Sequence, residues 1–368
     1  MNSRYNSTTV AQMIIERISA AYSRQDASAD GIYFWPDPLP TPEITLSPDP
    51  LVLFRPDDES ALSLHEKQQE PLPLISMSMH DFLALRSRDK QKPSMQIPLG
   101  LIDKPEIQER GTLLVDLHGS AGALTGGPLL IVGAQNSGKA TAIQTLLLWL
   151  AMRFSQQQLR CVLIDPLHEL DFFQNLSHMY GNDGIPLWTD GTTDETISKL
   201  ADYLIQLLKK RREDYAHLRW NNETLAQLWS QGIEIPQLLL IINHYHSFVD
   251  RPGAFTTLKK LMTSVMEART LGAYLVITSA ELGMRYLPAD LMGKFATKIG
   301  LLLNEQQRME LFGRIPVVPE PVPGRGLALT PDRSIHQIQL ALPVNGTTEN
   351  SRNENLKRVV QMLIGQSG

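Results

Sequence analysis

The stretch GAQNSGKAT, residues 133–141, carries the residue types and spacing best suited to chemistry. Gly133, Gly138 and Lys139 fit the phosphate-loop pattern G-x-x-x-x-G-K-[ST]. In that pattern the glycines let successive backbone N–H groups turn inward on a phosphate, and the lysine reaches the terminal phosphates. Ala140 stands where the pattern has a hydroxyl for magnesium. Thr141 is no substitute, because one step along a helix rotates a side chain by about 100°, away from the loop. The predicted nucleotide-binding residues are therefore Gly133, Ala134, Gln135, Asn136, Ser137, Gly138, Lys139, Ala140 and Thr141. The backbone donors from Gln135 to Lys139 and the Lys139 ammonium survive, so ATP or ADP is expected to bind weakly, with a poor site for Mg2+.

Such a loop works only between a strand and a helix, and the chain supplies both. PLLIVGA precedes it and TAIQTLLLWLA follows. From Gly127 onward, short apolar runs alternate with amphipathic stretches, the pattern of a parallel sheet covered by helices. The runs are PLLIVGA, RCVLIDP, PQLLLIINH and AYLVITSA. Between the second and third, Ile197, Leu200, Leu204, Leu207 and Leu208 make one helical face, with Thr192 and Glu195 spaced as a capping box. The run Lys209–Arg212 reads as its solvated side. Near the end, GRGLALTPDRSIHQIQLALP alternates on both sides of TPDR, as an antiparallel hairpin closing the sheet's edge would. Asp165, after VLI, either lines the cleft or caps the next helix. Cys161 reads as inert core.

The flanks differ. Residues 1–100 are expected to hold a helix over VAQMIIERISA, a winding stretch with seven prolines between Trp35 and Asp58, and a shorter helix at SMSMHDFLALR. IPLGLID and TLLVDL read as strands leading into the core domain, residues 101–345. Residues 346–368 read as a polar tail with a short helix, LKRVVQMLIGQ, expected to dock on a partner. The formal charge of −5 gives no general attraction to nucleic acid, and one cysteine excludes an intramolecular disulfide. The longest apolar run is far short of the roughly 20 residues a membrane span needs, which predicts a cytoplasmic chain without its own anchor.

In their order, YFWPDPLP, IPLGLIDKP, LLVDL, the loop, LIDP, EARTLGAYLVITS, PGRGL and HQIQLALP resemble the FtsK/SpoIIIE class of RecA-like ATPases, closest to the EccC/EssC modules of type VII secretion. The resemblance implies a RecA-like P-loop α/β core: a mostly parallel sheet flanked by helices, with an antiparallel edge hairpin. In that family the third strand ends in an Asp-Glu pair and the sensor strand in a glutamine; here those places hold Asn243, His244 and Ala280. With Ala140, four family features are altered together, which predicts no catalytic residues. An unaccompanied His-x-His at His244 and His246 is not a metal set. The resemblance implies a degenerate nucleotide-binding module that binds a membrane-bound or tandem secretion ATPase and a small helical export substrate. It would be peripheral to a membrane through those partners and capable of ring assembly. The alternatives are an active ATP-hydrolysing export motor or, against the acidic charge, a DNA translocase.

Overall fold

A computed structural model describes residues 94–104, 109–118 and 126–364, apart from 182, 216, 218–221, 234, 316, 345 and 347. All of them lie in the second of the chain's two units, Leu39–Gly368. The expected N-terminal helices and the proline-rich stretch lie outside the described residues.

The strands are β1 (Gln96–Lys104), β2 (Glu109–Asp116), β3 (Leu129–Gly133), β4 (Leu159–Ile164), β5 (Trp188–Thr189), β6 (Gln237–Ile242), β7 (Ala273–Ser279), β8 (Thr297–Leu301), β9 (Arg325–Leu329) and β10 (Ile335–Leu340). They form one sheet in the order β2-β1-β10-β9-β8-β3-β7-β6-β4-β5. The half from β8 to β5 is parallel, and the half from β2 to β8 is antiparallel. The four apolar runs became β3, β4, β6 and β7, all fully buried, as parallel strands covered on both faces must be. An antiparallel hairpin does close the sheet, but β1–β2 is the outermost one. The hairpin β9–β10 lies inside it, because β1 pairs with β10 at Gly100↔Leu340.

The helices are α1 (Lys139–Arg153), α2 (Asp194–Tyr215), α3 (Asn222–Ser230), α4 (Pro252–Glu267), α5 (Ala289–Met292), α6 (Glu305–Phe312) and α7 (Glu349–Ile364). Alternate strand residues feed two cores. Leu129 and Ile131 face α1 and α7, whereas Leu130 and Val132 face α2 and α4. Helix α1 is buried nearly all round, consistent with its almost uninterrupted apolar sequence. Helix α2 presents the predicted face, but its capping residue is Thr193, whose Oγ1 accepts from the Thr196 N–H, one position later than the pattern suggested. Arg211 also departs from the solvated-face reading: it is buried and donates to the carbonyls of Leu271 (3.1 Å) and Pro236 (2.7 Å).

The terminal helix is longer than LKRVVQMLIGQ alone, because the polar residues from Glu349 form its first turns. Its apolar residues Leu356, Val359, Val360 and Leu363 are buried in the same core as α1. That face is covered by its own domain, so the expectation that it docks on a partner is withdrawn.

Candidate nucleotide site

The loop leaves β3 and enters α1 directly. Asn136 and Gly138 have φ of 58° and 102°, a left-handed turn that brings backbone N–H groups to one side. Gly138 is required by more than its φ, since a Cβ there would sit 3.0 Å from the backbone nitrogen of Gly324. Gly324, itself at φ 78°, donates its N–H to the Ser137 carbonyl (2.8 Å). The PGRGL turn thus packs on the loop. It is held by Arg325, which donates to Gln339 Oε1 (3.1 Å) and Glu320 Oε2 (2.8 Å). Lys139 is 4 % exposed, and its ammonium donates back to the carbonyls of Gly133 (2.8 Å) and Ala134 (2.7 Å), bracing the loop with two of its three hydrogens. Burial lowers the Lys139 pKa, while Glu169 opposes that shift. Ala134, Gln135 and Asn136 are exposed, Ser137 is buried, and Ala140 and Thr141 are partly buried.

Across the cleft stand the ends of β4, β6 and β7. The fully buried Asn243 gives one amide hydrogen to Asp165 Oδ1 (2.9 Å) and one to Glu169 Oε2 (3.1 Å), while its Oδ1 accepts from Thr278 Oγ1 (2.6 Å). Thr278 Oγ1 in turn accepts the N–H of His244 (2.9 Å), a residue held at φ 50°. His244 Nε2 meets Glu169 Oε2 at 2.7 Å. The His244 bond, first, and the Asn243 bond hold the Glu169 carboxyl below its ordinary range, so Glu169 is an acceptor and Nε2 carries the hydrogen. Asp165 is buried, and rather than capping the next helix its Oδ2 accepts the Leu170 N–H just ahead of it (2.8 Å). Burial raises its pKa.

The sensor position is occupied by backbone contacts. The Ala280 N–H donates to His246 Nδ1 (3.1 Å), and its carbonyl accepts from Gln307 Nε2 (2.9 Å). A ring nitrogen that accepts an N–H must be unprotonated. Burial, His244 and Lys139 together push the His246 pKa down to about 4. The rings of His244 and His246 lie 5.6 Å apart, and no group of three metal-ligating side chains exists among the described residues.

The structure therefore brings Gly133–Thr141, Asn243, His244 and Ala280 to one cleft at the C-terminal ends of the parallel strands. This is where open α/β sheets bind ligands. Sequence reasoning missed Glu169. It lies in the non-periodic stretch PLHELDFF, and only the fold-back through Asp165 and Leu170 aims it at His244.

This arrangement of sheet, loop and facing strand ends has known counterparts. The sequence model of the FtsK/SpoIIIE family matches residues 82–277, more than half of the chain. The chain belongs to the FtsK/SpoIIIE family. Within it, the ESX secretion system protein EccC of Geobacillus thermodenitrificans is 23 % identical over 275 residues, which cover 72 % of this chain and 17 % of that protein. The solved EssC fragment (ATPases 2 and 3) from Geobacillus thermodenitrificans superposes with a TM-score of 0.60 at 21 % identity, covering 74 % of this chain and 49 % of the fragment. Thermomonospora curvata EccC (ATPases 2 and 3), solved in complex with a signal sequence peptide, gives 0.60 at 20 % identity over 89 % of this chain and 53 % of that fragment. This FtsK/SpoIIIE chain is thus homologous to the ATPase modules of EccC and EssC, shares their fold, and spans less than a fifth of the full-length curated relative. Among its described residues no helix is long and apolar enough to cross a membrane.

Proposed function

We propose that this FtsK/SpoIIIE module serves a type VII-like secretion machine as a binding element. In this reading it holds ATP or ADP weakly, hydrolyses little or none, and engages partner ATPases or a small helical substrate. One observation carries the reading. The amide of Asn243, at the place of the family's metal-holding acid, gives both of its hydrogens to Asp165 and Glu169 and accepts from Thr278 at its oxygen, so it brings no charge to a metal. With Ala140 lacking a hydroxyl, the residues present do not fit the magnesium site of a P-loop enzyme, whose usual ligands are the loop Ser/Thr and a strand-end Asp. Losing a general base costs about 10²–10⁴-fold in rate, and weakened metal binding adds to that. A module that keeps its fold without its chemistry needs another use. The signal sequence peptide bound to the Thermomonospora curvata relative supports peptide recognition as that use, and a helix laid in an apolar groove is the mode proposed for it. The proposal extends to residence at a membrane complex through partners, in the cytoplasm, and to ring assembly; the homology to EccC supports the first of these.

The second reading is an active export motor, favoured by the 2.7 Å contact between His244 and Glu169, which has the form of a paired base. A DNA translocase has only the family fold behind it. Phosphate release by pure full-length chain, with ATP and with or without magnesium, separates these readings. Background rates support the binding element. Magnesium-dependent turnover near about 1 s⁻¹ that disappears in His244→Ala would establish the motor.

A further inference from the structure

Glu169 does more in this cleft than complete a hydrogen-bond network. Its Oε2 is fixed from one side by Asn243 (3.1 Å) and His244 (2.7 Å), and its backbone carbonyl accepts from Gln144 Nε2 (3.4 Å) on α1. The carboxylate is coupled electrostatically to Lys139, the group that in a phosphate loop reaches toward the outer phosphates. A terminal phosphate in this fold sits between that lysine and the end of the strand bearing the acid, here β6 with Asn243 and His244. Glu169 is thus an anion held by the strand end bearing Asn243 and His244 and coupled to the loop lysine.

We infer that the cleft is selective for nucleoside diphosphates, with Glu169 standing in for the γ-phosphate and disfavouring triphosphates by charge and by occupancy. The inference rests on the nucleotide-site reading above and sharpens it. The loop N–H groups and the remaining hydrogen of Lys139 are enough for a β-phosphate. A γ-phosphate would place a second anion against a carboxylate that stays ionised at neutral pH, since its pKa is held low by His244 and Asn243. The metal ion that would relieve this repulsion lacks both customary ligands. Breaking the network to move Glu169 aside would strand the buried hydrogens of Asn243 and His244.

The test is calorimetric titration of the full chain with ADP and with the non-hydrolysable β,γ-imido analogue of ATP, each with and without magnesium. Wild-type protein is expected to bind ADP at least about tenfold more tightly than the triphosphate, a gap modest beside the repulsion of like charges in a partly buried site. Glu169→Gln should narrow that gap to about twofold by strengthening triphosphate binding, with ADP nearly unchanged. Glu169→Ala serves as a second variant, with near-ultraviolet circular dichroism confirming that each is folded. Equal affinities in the wild type overturn the selectivity but leave the nucleotide site standing. A magnesium-dependent loss of triphosphate binding in Glu169→Gln also overturns it, since Glu169 would then be a metal ligand. Failure of the wild type to bind either nucleotide removes the nucleotide site itself, and the selectivity with it.

Discussion

From Gly133 to Lys139 the site is built of a tight backbone turn braced by one ammonium, whereas opposite it, from Asp165 to Thr278, it is built of side chains bonded to one another. The first wall depends on φ values and on the close approach of Gly138 to Gly324. Side chains at Ala134, Gln135 and Asn136 lie exposed and contribute little to its shape. The second wall depends on which atoms donate and accept. Asn243 and His244 keep it satisfied while changing what it can do. The contrast teaches that a wall set by backbone geometry tolerates side-chain substitution, whereas a wall set by side-chain bonding registers each one at once.

The largest effect is expected on the backbone wall. Gly138→Val places a branched side chain at φ 102° and against the backbone of Gly324. Strain at such a position costs about 1–3 kcal/mol and the steric conflict adds about as much again. Urea titration should show the loss of stability, and calorimetry the loss of nucleotide binding. Retained ADP binding would break the comparison, since it would mean that the cradle is not set by this turn. A smaller effect is expected opposite. Thr278→Val leaves Asn243 Oδ1 and the His244 N–H without their shared partner, at a cost of about 1–3 kcal/mol, while ADP affinity stays within about twofold.

The smallest effect concerns pH. The His246 pKa is about 4 in the folded chain against an ordinary value of 6.5, so between those values the unfolded chain binds the proton and the folded chain does not. Stability is fully present above pH 6.5 and falls as the pH drops toward 4. His246→Gln keeps an acceptor for the Ala280 N–H and should flatten that slope between pH 6.5 and 5. Below that window Glu169, whose folded pKa is depressed, adds a further loss on acidification in both proteins, while Asp165, whose folded pKa is raised, acts in the opposite sense. Parallel slopes in the wild type and the variant would show that His246 is not the group concerned.

Much of this was legible in the residues. Four uninterrupted apolar runs announced β3, β4, β6 and β7, because strands buried on both faces leave no room for polar residues. The loop announced itself through Gly133 and Gly138, which stand where a Cβ would meet the backbone of Leu301 and of Gly324. Strand β8 was missed because Lys298 and Gly300 interrupt TKIGL, although its pairing with β3 needs no side chain at all. Strand β5 is two residues long and has no period to detect. Asn243, His244 and Ala280 were singled out by the family resemblance, which gave their places at the ends of two strands, whereas Glu169 depends on tertiary folding. The sole sequence hint was Asp165, five residues before the N–H that it accepts.

The bond from the Gly324 N–H to the Ser137 carbonyl ties the loop to the turn that opens the antiparallel half of the sheet. That single proton sits on a seam, and it exchanges with deuterium oxide only when the seam parts. It therefore keeps time for the loop's own breathing in the absence of any ligand, and a bound phosphate that stills the loop will be heard there as a slower clock.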